Sequence, residues 1–367
     1  MRDDVIANHD SLATLRRAFD EGAVRTVRIC FGDHYGVLRG RHVAVERLLE
    51  DPDAPYGFCS AAFVWNRRSE ISNATPFASF DTGYPDFYWR VDPATAVVCG
   101  WAPGEALALG TTSMPDGSPA FADPRHVLSR VLAASPSVAE PLVRLALQFQ
   151  GPGDDTRWRP GSDDPWPTRV MQGLTTSGYR GLALQAVCRG AWCRLSLGEA
   201  SALAAGDAGL VARAALEEIA LLLGSEASFV PNPPGATGAG RLEIALELDG
   251  ADPDLEGVRR RLADLCVLLR PTVNAYVPTP ENAWPLVFGG WLRSTLASSE
   301  ANPYLAIAAV LAAFGSRSRA QGDREMPSTL EEAAGRFAGA GWVHEWFEAL
   351  FVDHAVALAR AEVARDL

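Results

Sequence analysis

Residues 235–248 read GATGAGRLEIALEL, a glycine-rich turn running into a strictly alternating strand. Leu242, Ile244, Leu246 and Leu248 share one face of that strand, and Arg241, Glu243 and Glu247 share the other. A period of two is the mark of a half-buried strand. Upstream, LVRLALQFQ (Leu142–Gln150) alternates in the same way. Between the two strands, DAGLVARAALEEIALLLG carries a helical stripe, with Asp207 as a candidate N-cap and Gly224 as a stop. Downstream, LEGVRRRLADLCVLLRP reads as a helix ended by Pro271. Asn302 and Pro303 supply an N-cap and first-turn proline for YLAIAAVLAAF. The tail from Leu330 to Leu367 is helical and amphipathic.

Nearer the start, VRTVRICFGDHYGVLRGRHVAV (residues 24–45) reads as strand, turn and strand, and glycine and proline punctuate the segments after it. A turn-rich joint at PDGSPAFADP (Pro115–Pro124) then leads into a helix running from Pro124 toward Ala134. This places a boundary between residues 1–115 and 116–367. A length of 367 residues fits two domains, since domains run roughly 100–200 residues each.

At 48% hydrophobic and 21% charged, the composition is that of a globular chain able to bury a sizeable core. No run of 18 apolar residues occurs, and the polar start MRDDVIANHD does not read as a secretory signal. A cytoplasmic location is therefore expected, with Cys30, Cys59, Cys99, Cys188, Cys193 and Cys266 as buried free thiols. The net charge is −12 without a basic run, which makes nucleic acid and membranes poor partners. Every basic residue among the 33 is arginine, so a phosphate-loop lysine and a Schiff-base lysine are both excluded.

Several blocks together resemble the glutamine synthetase family, and they occur in family order. ASFVPNP (Ala227–Pro233) and the glycine-rich strand are similar to its "F-M-P-K-P … G-S-G-M-H-x-H-x-S-L" block, with Asn232 at the lysine position. FGDHYGVLRGR resembles its N-terminal "F-x-D-x-x-G" element, and DGSPAFADPRHVL resembles the opening of its catalytic domain. PTVNAY, NPYLAIAAVLA and MPSTLEEAAGRF resemble later blocks. The resemblance implies an α+β fold, with an N-terminal β-grasp domain and a larger domain built on an antiparallel sheet flanked by helices. It also implies ring-shaped oligomers whose active sites lie between subunits.

Amide formation through an acyl phosphate needs divalent metals and arginines to neutralise charge on the transferring phosphoryl group. Hard metals need several oxygen ligands. At the positions where the resemblance implies metal and nucleotide ligands, this chain carries Ala146, Gln148, Arg194, Leu242 and Ile244. No metal set is expected from them, and no cofactor; magnesium and ATP would enter only with an active ligase. Asp33 matches the aspartate that, in the family, reaches into a neighbouring subunit's site, and it reads equally as a turn residue. Arg293 reads as a surviving phosphate contact or as an ion-pair partner. His344 and His354 are expected on the surface of the C-terminal helical stretch. Trp342, Trp346, Phe347 and Phe351 are expected to pack inward or between subunits.

These expectations describe a glutamine synthetase-like pseudoenzyme, a non-catalytic subunit of a ring with a complete paralogue to which it lends Asp33. The alternatives are an active ATP-dependent carboxylate–amine ligase and a regulator that binds a small molecule in the emptied funnel.

Overall fold

The computed structural model describes residues 11–66, 69–72, 75–135, 141–152, 165–187, 192–233, 238–276, 284–318 and 325–366. Helix α1 (Ser11–Asp20) leads into β1 (Val24–Gly32), which turns back as β2 (Leu38–Ala44), the strand–turn–strand expected there. Helix α2 (Val45–Glu50), β3 (Tyr56–Cys59), β4 (Asp86–Val91), the short β5 (Val97–Val98) and β6 (Gly104–Ser113) follow. The strands form a mixed sheet in the order β2-β1-β6-β4-β3, in which β1 and β6 run parallel. One face is closed by an aromatic cluster: Phe31 lies 5.1–6.0 Å, ring to ring, from Phe63, Phe87 and Trp89. This is the small N-terminal sheet that the resemblance implied.

Helix α3 (Pro124–Ala134) begins at the predicted proline, with the Asp123 side chain accepting from the Arg125 N–H at 2.9 Å. Then come β7 (Leu142–Gln150), α4 (Trp166–Thr176), β8 (Ala183–Ala186), β9 (Trp192–Ser201) and the long helix α5 (Ala202–Leu222). After these follow β10 (Arg241–Glu247), α6 (Leu255–Asp264), α7 (Cys266–Leu269), β11 (Leu286–Phe288) and β12 (Trp291–Ser298). Helices α8 (Pro303–Gly315), α9 (Leu330–Gly339) and α10 (Ala349–Asp366) close the order. The second sheet runs β11-β12-β10-β7-β9-β8, antiparallel throughout. The architecture is α+β, as expected. Among the described residues no helix is long and apolar enough to cross a membrane.

Helix α5 packs on β7 and β9, and α8 packs on β10. Helix α8 is apolar all round and buried from Pro303 to Ala313, as a central helix must be. Its first turn is capped as predicted, with Asn302 Oδ1 accepting from Tyr304 at 2.8 Å and Leu305 at 3.3 Å. The two sheets share this core. Cys30, Val97, Cys99, Trp101, Leu107 and Leu109 of the first sheet belong to the same apolar cluster as α5 and α8.

Several local expectations change. Asp207 is not a cap, because α5 starts five residues earlier and Asp207 lies buried inside it. There it accepts from Arg125 Nε at 3.0 Å and from the Tyr304 hydroxyl at 2.6 Å, tying α3, α5 and α8 together. Gly224 does stop the helix, at a φ of +72°. The segment ended by Pro271 is two helices, α6 and α7, and the C-terminal tail breaks between α9 and α10. Trp342, Trp346, Phe347 and Phe351 are core residues. His344 is exposed, but His354 is fully buried, since α10 turns that face toward the first sheet's loops. Cys30, Cys99, Cys193 and Cys266 are buried thiols, Cys59 is exposed, and Cys188 lies outside the described residues.

Candidate functional site

The second sheet has one face under helices and one face open, and strand pairing decides which residues belong to each. Gln148 pairs with Arg194 and with Arg241, Ala146 with Ser196 and with Glu243, and Ala245 with Arg144 and with Arg293. Residues directly opposite in an antiparallel ladder lie on the same face. The open face therefore carries Arg144, Ala146, Gln148, Arg194, Ser196, Glu243, Ala245 and Arg293. Leu242 and Ile244, at 0% and 1% exposure, point the other way into the core under α8.

That position corrects the assignment of Leu242 and Ile244 to the ligand face. The alternation was read correctly, but the leucine–isoleucine side is the one the helices cover. A one-residue slip in register moves every side chain to the opposite face. The β10 residues that face the cleft are Glu243 and Ala245. Ala146, Gln148 and Arg194 are on the open face as expected, so three of the five assigned positions stay together and two leave.

A cleft of about 470 Å³ lies over this face, lined by residues of β7, β9, β10, β11 and β12 and of the β11–β12 turn. Its floor is organised around Glu243, 16% exposed. One carboxylate oxygen accepts from Arg194 Nη2 at 2.9 Å, and the other from Arg293 Nη2 at 2.6 Å and Nε at 3.1 Å. Arg194 Nη1 also donates to Ser196 at 3.0 Å. Gln148 donates to the Ala239 carbonyl at 2.7 Å, and Asn232 donates to the Asn274 carbonyl at 2.6 Å. At the rim Arg144 pairs with Glu199, and its guanidinium lies 3.9 Å from the centre of the Trp291 ring. The turn Gly289–Gly290, with φ of +58° and +82°, is the two-residue hairpin only glycine adopts easily, and it sets Phe288 opposite Trp291 at the lip.

The described residues do not fit a divalent metal. Hard cations take six or more oxygens, typically from carboxylates. No group of three or more histidine, cysteine, aspartate or glutamate residues among them could hold an ion. The cleft's glutamate is occupied by two guanidinium groups. Residues 188–191, 234–237 and 277–283, which adjoin these strands, are outside the described residues.

Asp33 lies far from a lending posture. It is 0% exposed, in the β1–β2 turn. Its Oδ1 accepts from Tyr35 N at 3.0 Å and Val37 N at 2.9 Å, and its Oδ2 accepts from Arg39 Nε at 2.9 Å. Burial pushes its carboxyl above the usual carboxylate value, against the pull of Arg39 and the two amides. Its carbonyl takes the Asn302 side-chain N–H at 2.7 Å, which locks the turn onto α8 of its own chain. The carboxylate is engaged by its own loop, and a reach into another subunit's site would require those contacts to open. Arg293 is an ion-pair partner, one of the two readings given for it, and at 40% exposure it also lines the cleft. The roles of Glu243, Arg144, Ser196 and Trp291 were missed, although the polar half of the alternation already grouped Glu243 with the open face.

No protein-family model matches the chain. It is 34% identical over 113 residues to a gamma-glutamylethanolamide synthetase of Streptomyces coelicolor, a match covering 30% of this chain and 24% of that protein. A match at 27% identity to the glutamine synthetase of Mycolicibacterium smegmatis covers 59% of this chain and 51% of that one. The chain thus spans from a quarter to half the length of these two relatives. Over nearly full length it is 25% identical to the glutamine synthetase of Mycobacterium bovis, covering 86% and 87% of the two chains. It is 21% identical to a glutamate–isopropylamine ligase of Pseudomonas, covering 95% and 93%. A solved glutamine synthase homolog superposes with a TM-score of 0.77 at 21% identity over 93% of this chain and 95% of that one. Over nearly its whole length the chain is similar to glutamine synthetases in sequence, and it shares their fold. For a glutamine synthetase-like protein the open face of the antiparallel sheet is the natural place to look for ligand binding, and here it is an arginine-lined cleft.

Proposed function

We propose that this protein is a non-catalytic glutamine synthetase-like subunit that has given up metal-dependent ligase chemistry and assembles with a complete paralogue. The observation that carries this reading is Glu243, the glutamate lining the cleft, clamped by Arg194 and Arg293 with Arg144 beside them. A divalent cation about 5 Å from one guanidinium meets a repulsion of roughly 7 kcal/mol at an effective dielectric of about 20. Glu243 offsets one arginine of the three. Without metals, charge on a transferring phosphoryl group has no divalent counterion and no ordered pair of ligated oxygens.

The test is direct. Purified protein should give no heat with magnesium–ATP by calorimetry, and no ADP with glutamate and a panel of amines. ADP release proportional to protein concentration overturns the reading. Co-expression with a complete paralogue should give a mixed assembly on size-exclusion chromatography; separate elution removes the subunit role. Asp33 has no part in this proposal, because its carboxylate is engaged within its own turn.

The second reading is an active ATP-dependent glutamate–amine ligase. What favours it is the company the chain keeps, a gamma-glutamylethanolamide synthetase and a glutamate–isopropylamine ligase. It requires magnesium–ATP binding and amine-dependent ADP release, so the same two measurements decide between the readings.

A further inference from the structure

We propose that the open-face cleft is a metal-independent site for a small multivalent oxyanion, gripped by Arg194 and Arg293 and guarded at the rim by Arg144. Among the described residues, the charged ones lining the cleft are three arginines and one glutamate, a surplus of two positive charges, one of which Glu199 balances from the rim. This surplus sits in a chain whose net charge is −12, so it is a local construction and not the general tone of the surface.

The two inner guanidinium groups are held ready. Glu243 gives one oxygen to each, and Ser196 takes a further N–H of Arg194. Arginine carries five N–H donors in a rigid fork. Glu243 holds both forks, and Ser196 holds that of Arg194 as well, while each fork keeps N–H donors that these contacts do not take, which lowers the ordering cost of binding. Planar forks of this kind match carboxylate and phosphate oxygens two at a time. The volume, about 470 Å³, falls within the roughly 300–1,000 Å³ common for small-molecule sites. The Trp291 and Phe288 rings at the lip give the site an apolar wall. Phosphate and carboxylate share the chemistry, so the source of the oxyanion is read by experiment.

The inference rests on the metal-free reading of the same face. Calorimetry in EDTA with the full chain uses two probes, inorganic pyrophosphate and citrate. Binding of either in the presence of EDTA, weakening as sodium chloride rises, is the expected result; which probe binds identifies the phosphate or the carboxylate class. Arg293→Gln and Arg144→Gln, made separately so that a folding defect in one leaves the other readable, should each weaken binding about tenfold or more. Arg130→Gln, which removes an equally exposed arginine paired with Glu348 elsewhere, should leave it unchanged. No heat with either probe, binding that needs magnesium, or equal loss in the Arg130 variant overturns the site. Amine-dependent ADP release would instead overturn the metal-free reading, so the two failures are distinguishable.

Discussion

At the scale of single residues, Leu242 and Ala245 are three positions apart on one strand and face opposite sides of the sheet. Leu242 packs in the core at 0% exposure, and Ala245 lines the cleft beside Arg293. Replacing each by histidine separates the two faces. Leu242→His buries a polar ring and removes an apolar side chain, so it should cost roughly 3 kcal/mol or more. Ala245→His puts the ring over open volume and should cost far less. Midpoints of urea unfolding for the two variants check this, and equal losses would mean that the faces have been assigned wrongly. The same contrast explains Glu243. A carboxylate on the covered face would be stranded, whereas on the open face it finds Arg194 and Arg293 within 3.1 Å.

At the scale of elements, the N-terminus of α8 is a joint as well as a cap. Asn302 accepts from two N–H groups of its own helix and donates to the Asp33 carbonyl of the β1–β2 turn. Asn302→Ala should lower stability by about 2 kcal/mol, from the lost cap and the lost buried bond together. Amide hydrogen exchange should quicken at Tyr35–Val37 as well as in the first turn of α8; protection unchanged in the turn would show that the joint is not a joint. Asn302–Pro303 and Pro124 were legible in the sequence because caps act over a few residues. So was the alternation of β7 and β10. The side of β10 facing the cleft was not legible, because it is set by where α8 lies, far along the chain. Asp207 shows the same limit. Its side chain has the chemistry of a cap, but Arg125 and Tyr304, brought by tertiary folding, outcompete a local role. The cleft's arginines were individually visible, and their meeting at one glutamate depends on pairing among β9, β10 and β12.

At the scale of the whole molecule, α10 binds the far end of the chain to its beginning through two buried imidazoles. The rings of His34 and His354 lie 6.1 Å apart, and His354 is also flanked by Phe77 and Phe121. Burial pushes His34 down to about 4; burial, with His34 as a neighbour, pushes His354 down to about 3, the nearby Phe63 backbone opposing in part. Both are neutral in the folded protein at pH values where the unfolded chain, with histidine near 6.5, takes up protons. Stability is therefore fully present above about pH 6.5 and should fall as pH drops toward 4, by up to about 1.4 kcal/mol per pH unit for each ring. Unfolding free energies measured across that range check the slope, and His354→Phe should flatten it. A stability independent of pH between 6.5 and 4 would contradict the burial of the pair.

The shared core of the two sheets has a consequence for the order in which the chain can be made. Arg28 on β1 is clasped by Glu218 of α5, which also takes the indole N–H of Trp101 at 2.7 Å. Leu107 and Leu109 on β6 lie in the cluster that α5 completes. As the polypeptide leaves the ribosome, the first sheet can pair its strands by Ser113, yet one side of it stays uncovered until Ala202–Leu222 has emerged. During that interval a half-built sheet with an apolar face is exposed, the kind of intermediate that chaperones capture and that aggregates at high expression. Ribosome-stalled chains ending before α5 should accordingly be protease-sensitive, and chains ending shortly after it should not.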